Sequence, residues 1–416
     1  MATAARATRG GWYRLLSVDG REAFWGAFAG VALAGFDVYS FSYVLGALHD
    51  AFGVSSAQLG LLATASLMAT AFGSAIGGVL ADRIGRVPTM IGAVAVYAVF
   101  SIACGLAPTY AILLVCRIVV GLGFGADWTA SSLIVAEYAD PAARGRTIAA
   151  LTSSFTVGNL LAALIAAVFA AALPEGLDWR ALFLVGGVPA VLTVFYRLKL
   201  KESPVYRAHR TTRTAHAPWL TIVRPPLERI TLGAVILTIG VLAGPFIVLI
   251  WLPSYLRGER GFSVTLASLA MIPLQIGGWF GFMVDGALND AIGRRRTFAF
   301  FALGSAVFTI GYVALPSLPW LLLAGAVPLG FCINGIVGGT GAYLAELYPT
   351  PVRGIGQGLS YSAGRAIAAA PLALVGDLAT GIGLGTAIGA SALLYALVFV
   401  ALPLLPETNG KQFESG

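Results

Sequence analysis

Residues 77–86 read Gly-Gly-Val-Leu-Ala-Asp-Arg-Ile-Gly-Arg, and residues 286–295 read Gly-Ala-Leu-Asn-Asp-Ala-Ile-Gly-Arg-Arg. The shared Asp-x-x-Gly-Arg core starts at Asp82 and again at Asp290, 208 residues apart in a chain of 416. A second pair keeps the same spacing. Glu137, followed by Arg144-Gly145, matches Glu346, followed by Arg353-Gly354, at an offset of 209. A chain that repeats at half its length is two copies of one unit, each with a charged turn at the same place.

The unit belongs in a membrane. Charged residues make up 11% of the chain and hydrophobic ones 58%, against about 25% charged in a soluble domain. Apolar runs long enough to cross a hydrocarbon layer of roughly 30 Å recur along the whole chain. They fall near 24–45, 58–80, 88–106, 110–136, 146–172, 181–198, 230–256, 264–287, 297–315, 319–345, 355–379 and 384–405. The expected fold class is an all-α integral membrane protein, with twelve transmembrane helices in two pseudo-symmetric six-helix bundles. The expected organisation is a tail (1–23), a first bundle (24–198), a linker (199–229), a second bundle (230–405) and a second tail (406–416).

Basic residues set the expected orientation. With the N-terminus in the cytoplasm, 21 of the 26 Lys and Arg fall on the cytoplasmic side, eight of them in a central stretch counted from Arg197 to Arg229. Three fall outside and two, Arg117 and Arg365, within spans. That bias predicts an inner-membrane protein with both termini cytoplasmic. The net charge of +7 is then a topology signal and argues for contact with anionic lipid, not nucleic acid. Cys104, Cys116 and Cys332 lie in spans and imply no disulfide framework. The first 23 residues lack a short apolar region ending in a cleavage site, and read as a retained tail.

With the repeat, the spans and the charged turns in hand, the chain resembles the major facilitator superfamily over nearly its whole length. Gly77–Arg86 is similar to that superfamily's signature between spans two and three. The resemblance implies alternating access, with a cytoplasmic gate of Asp82, Arg83, Arg86, Glu137, Arg144, Asp290, Arg294, Glu346 and Arg353. Arg117-Ile-Val-Val-Gly-Leu-Gly123, Lys201-Glu-Ser-Pro204 and Pro406-Glu-Thr-Asn-Gly410 resemble sugar-porter motifs. Span seven lacks the sugar porters' Gln-Leu-Ser triplet, and span five lacks the drug antiporters' Gly-x-x-x-Gly-Pro. Asp37, Asp127 and Gly356-Gln-Gly-x-x-Tyr361-x-x-Gly-Arg365 resemble proton-coupled carriers of sialic, aromatic and other organic acids.

Ionisable groups inside a membrane each need a partner or a task. At 1.5 Å per residue, Asp37 and Arg117 both lie about 12 Å below the outer surface, on spans one and four. The two are level. Protonation of Asp37 would break such a pair, and the resemblance gives the matching residues of sugar–proton symporters this coupling role; a permanent structural pair is the other reading. Histidine is placed only at 49, 209 and 216, outside the membrane interior, so a carboxylate must carry any proton. Arg365 lies about 16 Å into span eleven, with Tyr361 one turn away on the same face. A guanidinium there suits bidentate binding of a carboxylate, as the resemblance implies; alternatively Asp127 or Asp37 neutralises it. Asp127, about 80° around the helix from Arg117 and near mid-membrane, is either a second proton site or the resting counter-ion of Arg365. Asp285, at the inner end of span eight, reads as gate structure. Tyr39, Asn159, Gln275 and Asn334 complete the candidate substrate contacts; buried amides serve helix packing equally well.

The expectation is a monomeric, proton-coupled symporter of a small organic anion, with the proton as coupling ion and no cofactor. A sugar or polyol symporter is the alternative, an exporter or a non-transporting sensor less so. No nucleophile–base set or metal-ligand spacing points to an enzyme.

Overall fold

The computed structural model describes residues 12–140, 144–174, 176–203, 206–207, 219–349 and 352–408, with the side chains of 82, 144–146, 188–190, 192, 219–220, 290, 345 and 353–355 left outside the description. The first bundle holds α1 (Val18–Phe52), α2 (Ser56–Ile84), α3 (Arg86–Gly105), α4 (Tyr110–Tyr138), α5 (Arg144–Thr152 and Ser154–Ala172) and α6 (Asp178–Arg197). The second holds α7 (Glu228–Gly258), α8 (Val264–Leu269 and Met271–Ile292), α9 (Arg294–Ala314), α10 (Pro319–Gly338 and Thr340–Leu347) and α11 (Arg353–Ile382). It closes with α12, a run of α and 3-10 turns from Leu384–Ala390 to Leu402–Leu404. Among the described residues eleven of these helices meet the length and hydropathy of a membrane span; α6, at 20 residues, is the twelfth. The helices outrun the apolar runs at their ends: α1 starts at Val18, six residues before the predicted span, because Ser17 caps it by accepting from the Gly20 amide.

Antiparallel helices put both chain ends and the linker on one side, here the near side, and the 53–55 connection on the far side. Far-side ends are closed by local chemistry. Gly53, at φ 62°, ends α1 in the left-handed conformation, and a Ser55–Gln58 capping box starts α2. On the near side, the repeated charged turn turns out to be hardly a loop. A single glycine joins helix to helix in each bundle, Gly85 at φ 111° and Gly293 at φ 93°. Only glycine takes such angles without strain.

Small residues bring the inner helices together, and they repeat with the charged turns. A Cβ on Gly73 of α2 would lie 2.1 Å from the Leu122 carbonyl oxygen of α4; one on Gly281 of α8 would lie 2.2 Å from that of Phe331 of α10. Backbone-to-backbone approach of this kind replaces the hydrophobic drive that lipid cannot supply. The bundles meet along α2–α11, α1–α7 and α5–α8. In the far-side half, Thr64 Oγ1 donates to the Ala369 carbonyl at 3.0 Å, and Gly60 lies against Leu372 and Ala373.

Candidate functional site

Asp37 and Arg117 meet inside the first bundle. Arg117 Nη1 lies 2.7 Å from Asp37 Oδ2, and the two side chains are 2% and 3% exposed. The other carboxylate oxygen accepts from Ser101 Oγ of α3 at 2.5 Å. The rings of Phe41 and Phe183 lie 5.3 and 5.6 Å from the guanidinium carbon and shield the pair from water. A buried pair of this kind holds only while both charges are present, because losing one leaves the other uncompensated.

Asp127 departs from the sequence expectation. Its partner is not Arg365 but Arg197, whose Nη1 and Nη2 reach the two carboxylate oxygens. Both side chains are fully buried. Arg197 also donates to the carbonyls of Gly26 (3.1 Å) and Met90 (2.9 Å), and to Ser131 Oγ (3.4 Å). This arginine was counted with the polar linker. It belongs instead to the last turn of α6 and turns inward between α1, α3 and α4. Arg197 and Met90 both sit near the near-side ends of their helices, so Arg197 reaches inward from the near side to meet Asp127. Gly30 makes the room: a Cβ there would fall 1.8 Å from Arg197 Nη2.

Removing one member of such a pair costs about 3–5 kcal/mol, whereas replacing both by apolar groups is often neutral. Arg197→Leu is therefore expected to lower the thermal unfolding temperature in detergent sharply, and Asp127→Leu added to it to restore most of the loss. An unchanged unfolding temperature in the single variant would remove the pair's structural weight.

Among the described residues Arg365 has no acidic partner. Its guanidinium carbon lies 5.2 Å from the Phe124 ring of α4 and 5.9 Å from the Phe246 ring of α7, across the interface between the bundles. The side chain is 6% exposed and Nε, fully buried, has no hydrogen-bond partner. Among the described residues no carboxylate pairs with it. Tyr39 of α1 lies near both Arg365 and Tyr361. Together Tyr39, Tyr361, Phe124 and Phe246 form an aromatic surround with one unmatched cation. A void of about 20 Å³, room for one water-sized molecule, separates Arg117 from Phe124 on the far side of this centre.

The three amides part company. Asn159 Oδ1 accepts from Tyr43 Oη at 2.7 Å while its Nδ2 is buried and unpartnered. Gln275 is 3% exposed, with Nε2 unpartnered. Asn334 lies against α8. It donates to the Gly330 carbonyl of its own helix at 3.1 Å and fills the notch at Gly278 of α8. Its Nδ2 is thus used in helix packing. Asp285 is buried against Gly338, at the break in α10.

On the near side the repeated turns form matching pairs within each bundle. Arg86 Nη2 lies 2.8 Å from Glu137 Oε1, and Arg294 Nη2 lies 3.0 Å from Glu346 Oε1. Arg83 is exposed, with its carbonyl accepting from Tyr206 Oη at 3.4 Å. Asp82, Arg144, Asp290 and Arg353, the other expected gate side chains, lie outside the described residues. The helix starts after Gly85 and Gly293 are capped from a distance. Glu202 Oε2 accepts from the Val87 amide at 3.2 Å, and Glu407 from the amides of Arg294 (2.9 Å) and Arg295 (3.1 Å). Glu202 and Glu407 thus supply matching carboxylates to the positive ends of α3 and α9.

Sequence reasoning missed Arg197, Phe124, Phe246 and both capping glutamates. A signal for Arg197 was present, since a fully buried Asp127 requires a cation at its own depth and α6 ends in one. Nothing in the spacing marked the two phenylalanines.

Comparison with known proteins places this geometry. The chain matches the Major Facilitator Superfamily over residues 27–285. It is 34% identical to a probable 4-methylmuconolactone transporter of Cupriavidus pinatubonensis over 97% of this chain and 94% of that one. It is 29% identical to a cis,cis-muconate transport protein of Acinetobacter baylyi over 94% of this chain and 95% of that one. Its fold superposes on the crystal structure of a D-xylose–proton symporter with a TM-score of 0.77, at 20% identity, covering 94% of this chain and 99% of that chain. Two repeated bundles, glycine-joined charged turns and a match over more than half the length agree: the chain belongs to the Major Facilitator Superfamily and is a multi-pass membrane transporter, not an enzyme.

Proposed function

We propose that the protein is an inner-membrane symporter that carries a small organic anion together with a proton by alternating access, with both termini in the cytoplasm. The observation that carries this reading is Arg365, a buried guanidinium between Phe124 and Phe246 with no carboxylate of the described chain to match it. An unmatched buried charge is costly, and a carboxylate from the cargo completes it through charge-assisted, bidentate hydrogen bonds. The aromatic surround suits a planar or conjugated acid, in keeping with relatives named for muconolactone and muconate. Tyr39, Tyr361, Asn159 and Gln275 are the further contacts. Asp37, paired to Arg117, is the proton-sensing carboxylate. The Arg86–Glu137 and Arg294–Glu346 pairs stiffen the near-side ends of the bundles as they rock.

A neutral sugar or polyol needs a ring of amides and hydroxyls, and one of the three expected amides, Asn334, is spent on its own helix. The test is uptake into proteoliposomes under an inward proton gradient, with labelled aromatic and conjugated carboxylates beside labelled sugars. Carboxylates are expected to accumulate. Accumulation of sugars alone would overturn the anion assignment.

A further inference from the structure

A lateral groove opens on the far side between α9 and α12, both outside the seams where the bundles meet. The cavity holds about 500 Å³, within the range of small-molecule sites. Glu259 and Arg260, just beyond the end of α7, both line it. Ile310 and Ala314 of α9 form one wall, Thr386 and Ala390 of α12 the other.

The two charges are neighbours in sequence yet are drawn to opposite walls. Arg260 turns toward the end of α9: Nε donates to Tyr255 Oη, Nη1 to Ser317 Oγ at 3.0 Å and Nη2 to the Val313 carbonyl. Glu259 turns toward the start of α12, where its carboxylate accepts from the amides of Leu384 and Gly385. All of Arg260's acceptors are neutral, and two of its five donors remain unused. Among the described residues neither charge enters an ion pair. The groove therefore offers a cation on one side and an anion on the other.

Toward mid-membrane the groove turns apolar. Leu303, Val307 and Ile310 form a strip along one face of α9, each more than half exposed. Trp320, exposed at the start of α10, stands at the far-side level, where tryptophan marks the membrane interface. Charges at head-group level above an apolar strip are the two halves of a lipid site.

We propose that this groove holds a phospholipid of the far-side leaflet whose head group carries both a phosphate and a primary amine, as in phosphatidylethanolamine. The phosphate takes the spare donors of Arg260, and the ammonium donates to Glu259, both as charge-assisted hydrogen bonds. An acyl chain runs down between Ile310 and Ala390. Charge complementarity selects this occupant, because a head group bearing phosphate alone leaves Glu259 unmatched. A soluble ligand leaves the apolar strip uncovered. The proposal is independent of what the protein carries.

The test is native mass spectrometry of the full chain after delipidation in detergent. Phosphatidylethanolamine, phosphatidylcholine and phosphatidylglycerol are added back in equal amounts. Wild type is expected to hold one phosphatidylethanolamine roughly tenfold more tightly than either of the others, the worth of one hydrogen bond to a charged group. Equal retention of all three overturns the proposal. Glu259→Gln is expected to erase the preference, and its persistence overturns the proposal. Because Glu259 also caps α12, a second variant keeps both charges. Ala390→Trp fills the groove from an exposed position and is expected to lose the selectively held lipid. Retention as in wild type in that variant overturns the proposal. Displacement of the lipid by soluble phosphoethanolamine at matching concentration overturns it in favour of a soluble ligand.

Discussion

Arg365→Ala is expected to abolish saturable carboxylate binding. Truncating one partner of a desolvated, hydrogen-bonded charge pair costs about 2–5 kcal/mol, which is roughly 30-fold to several thousand-fold in Kd. Arg365 sits at the upper part of that range, because Phe124 and Phe246 exclude water from its flanks and nothing else in the described centre carries a positive charge toward the cargo. Arg365→Lys separates charge from shape. A lysine keeps the charge but loses the planar fork that matches a carboxylate, so an intermediate loss is expected. Equilibrium binding of labelled substrate to detergent-purified protein reads both. Wild-type affinity in Arg365→Ala would place the anion elsewhere.

Asp37→Asn is expected to separate transport from its driving force. The asparagine keeps the shape of the side chain and can still accept from Ser101, but it neither binds a proton nor balances Arg117. On the symport reading, the variant exchanges labelled for unlabelled substrate across the membrane and no longer concentrates it. One pH unit of gradient supplies about 1.4 kcal/mol per proton, enough for roughly tenfold accumulation with one proton per anion. That ratio should collapse to about one. Concentrative uptake at the wild-type level in Asp37→Asn would sink the coupling role.

Architecture and site differ in how much of them could be read from sequence. The repeat and the apolar runs give the architecture because a membrane helix announces itself by length and hydropathy alone. Asp37 and Arg117 could be matched by counting turns from the membrane surface, since both lie well inside long spans. Arg197 escaped the same method. It ends its helix, where hydropathy drops and a basic residue reads as loop, yet packing turns it fully inward. The omission propagated, because leaving Asp127 without a partner kept pairing with Arg365 open as one of its two readings. Phe124 and Phe246 are two of 23 phenylalanines, and only the crossing of α4, α7 and α11 singles them out. The capping glutamates lie 115 and 113 residues from the amides they satisfy. Separations of that size are invisible to local capping rules, although the segments themselves stood out by resemblance.

Gly85 and Gly293 join their helices with no slack. A connection of several residues would let α2 and α3, or α8 and α9, swing independently. A one-residue joint, fixed by a carboxylate cap on one side and an arginine–glutamate clasp on the other, instead forces each pair to turn as one piece. On the alternating-access reading, each bundle then acts as a lever pivoting at the centre, so a small closing motion around a bound anion reaches the near-side surface as a larger displacement.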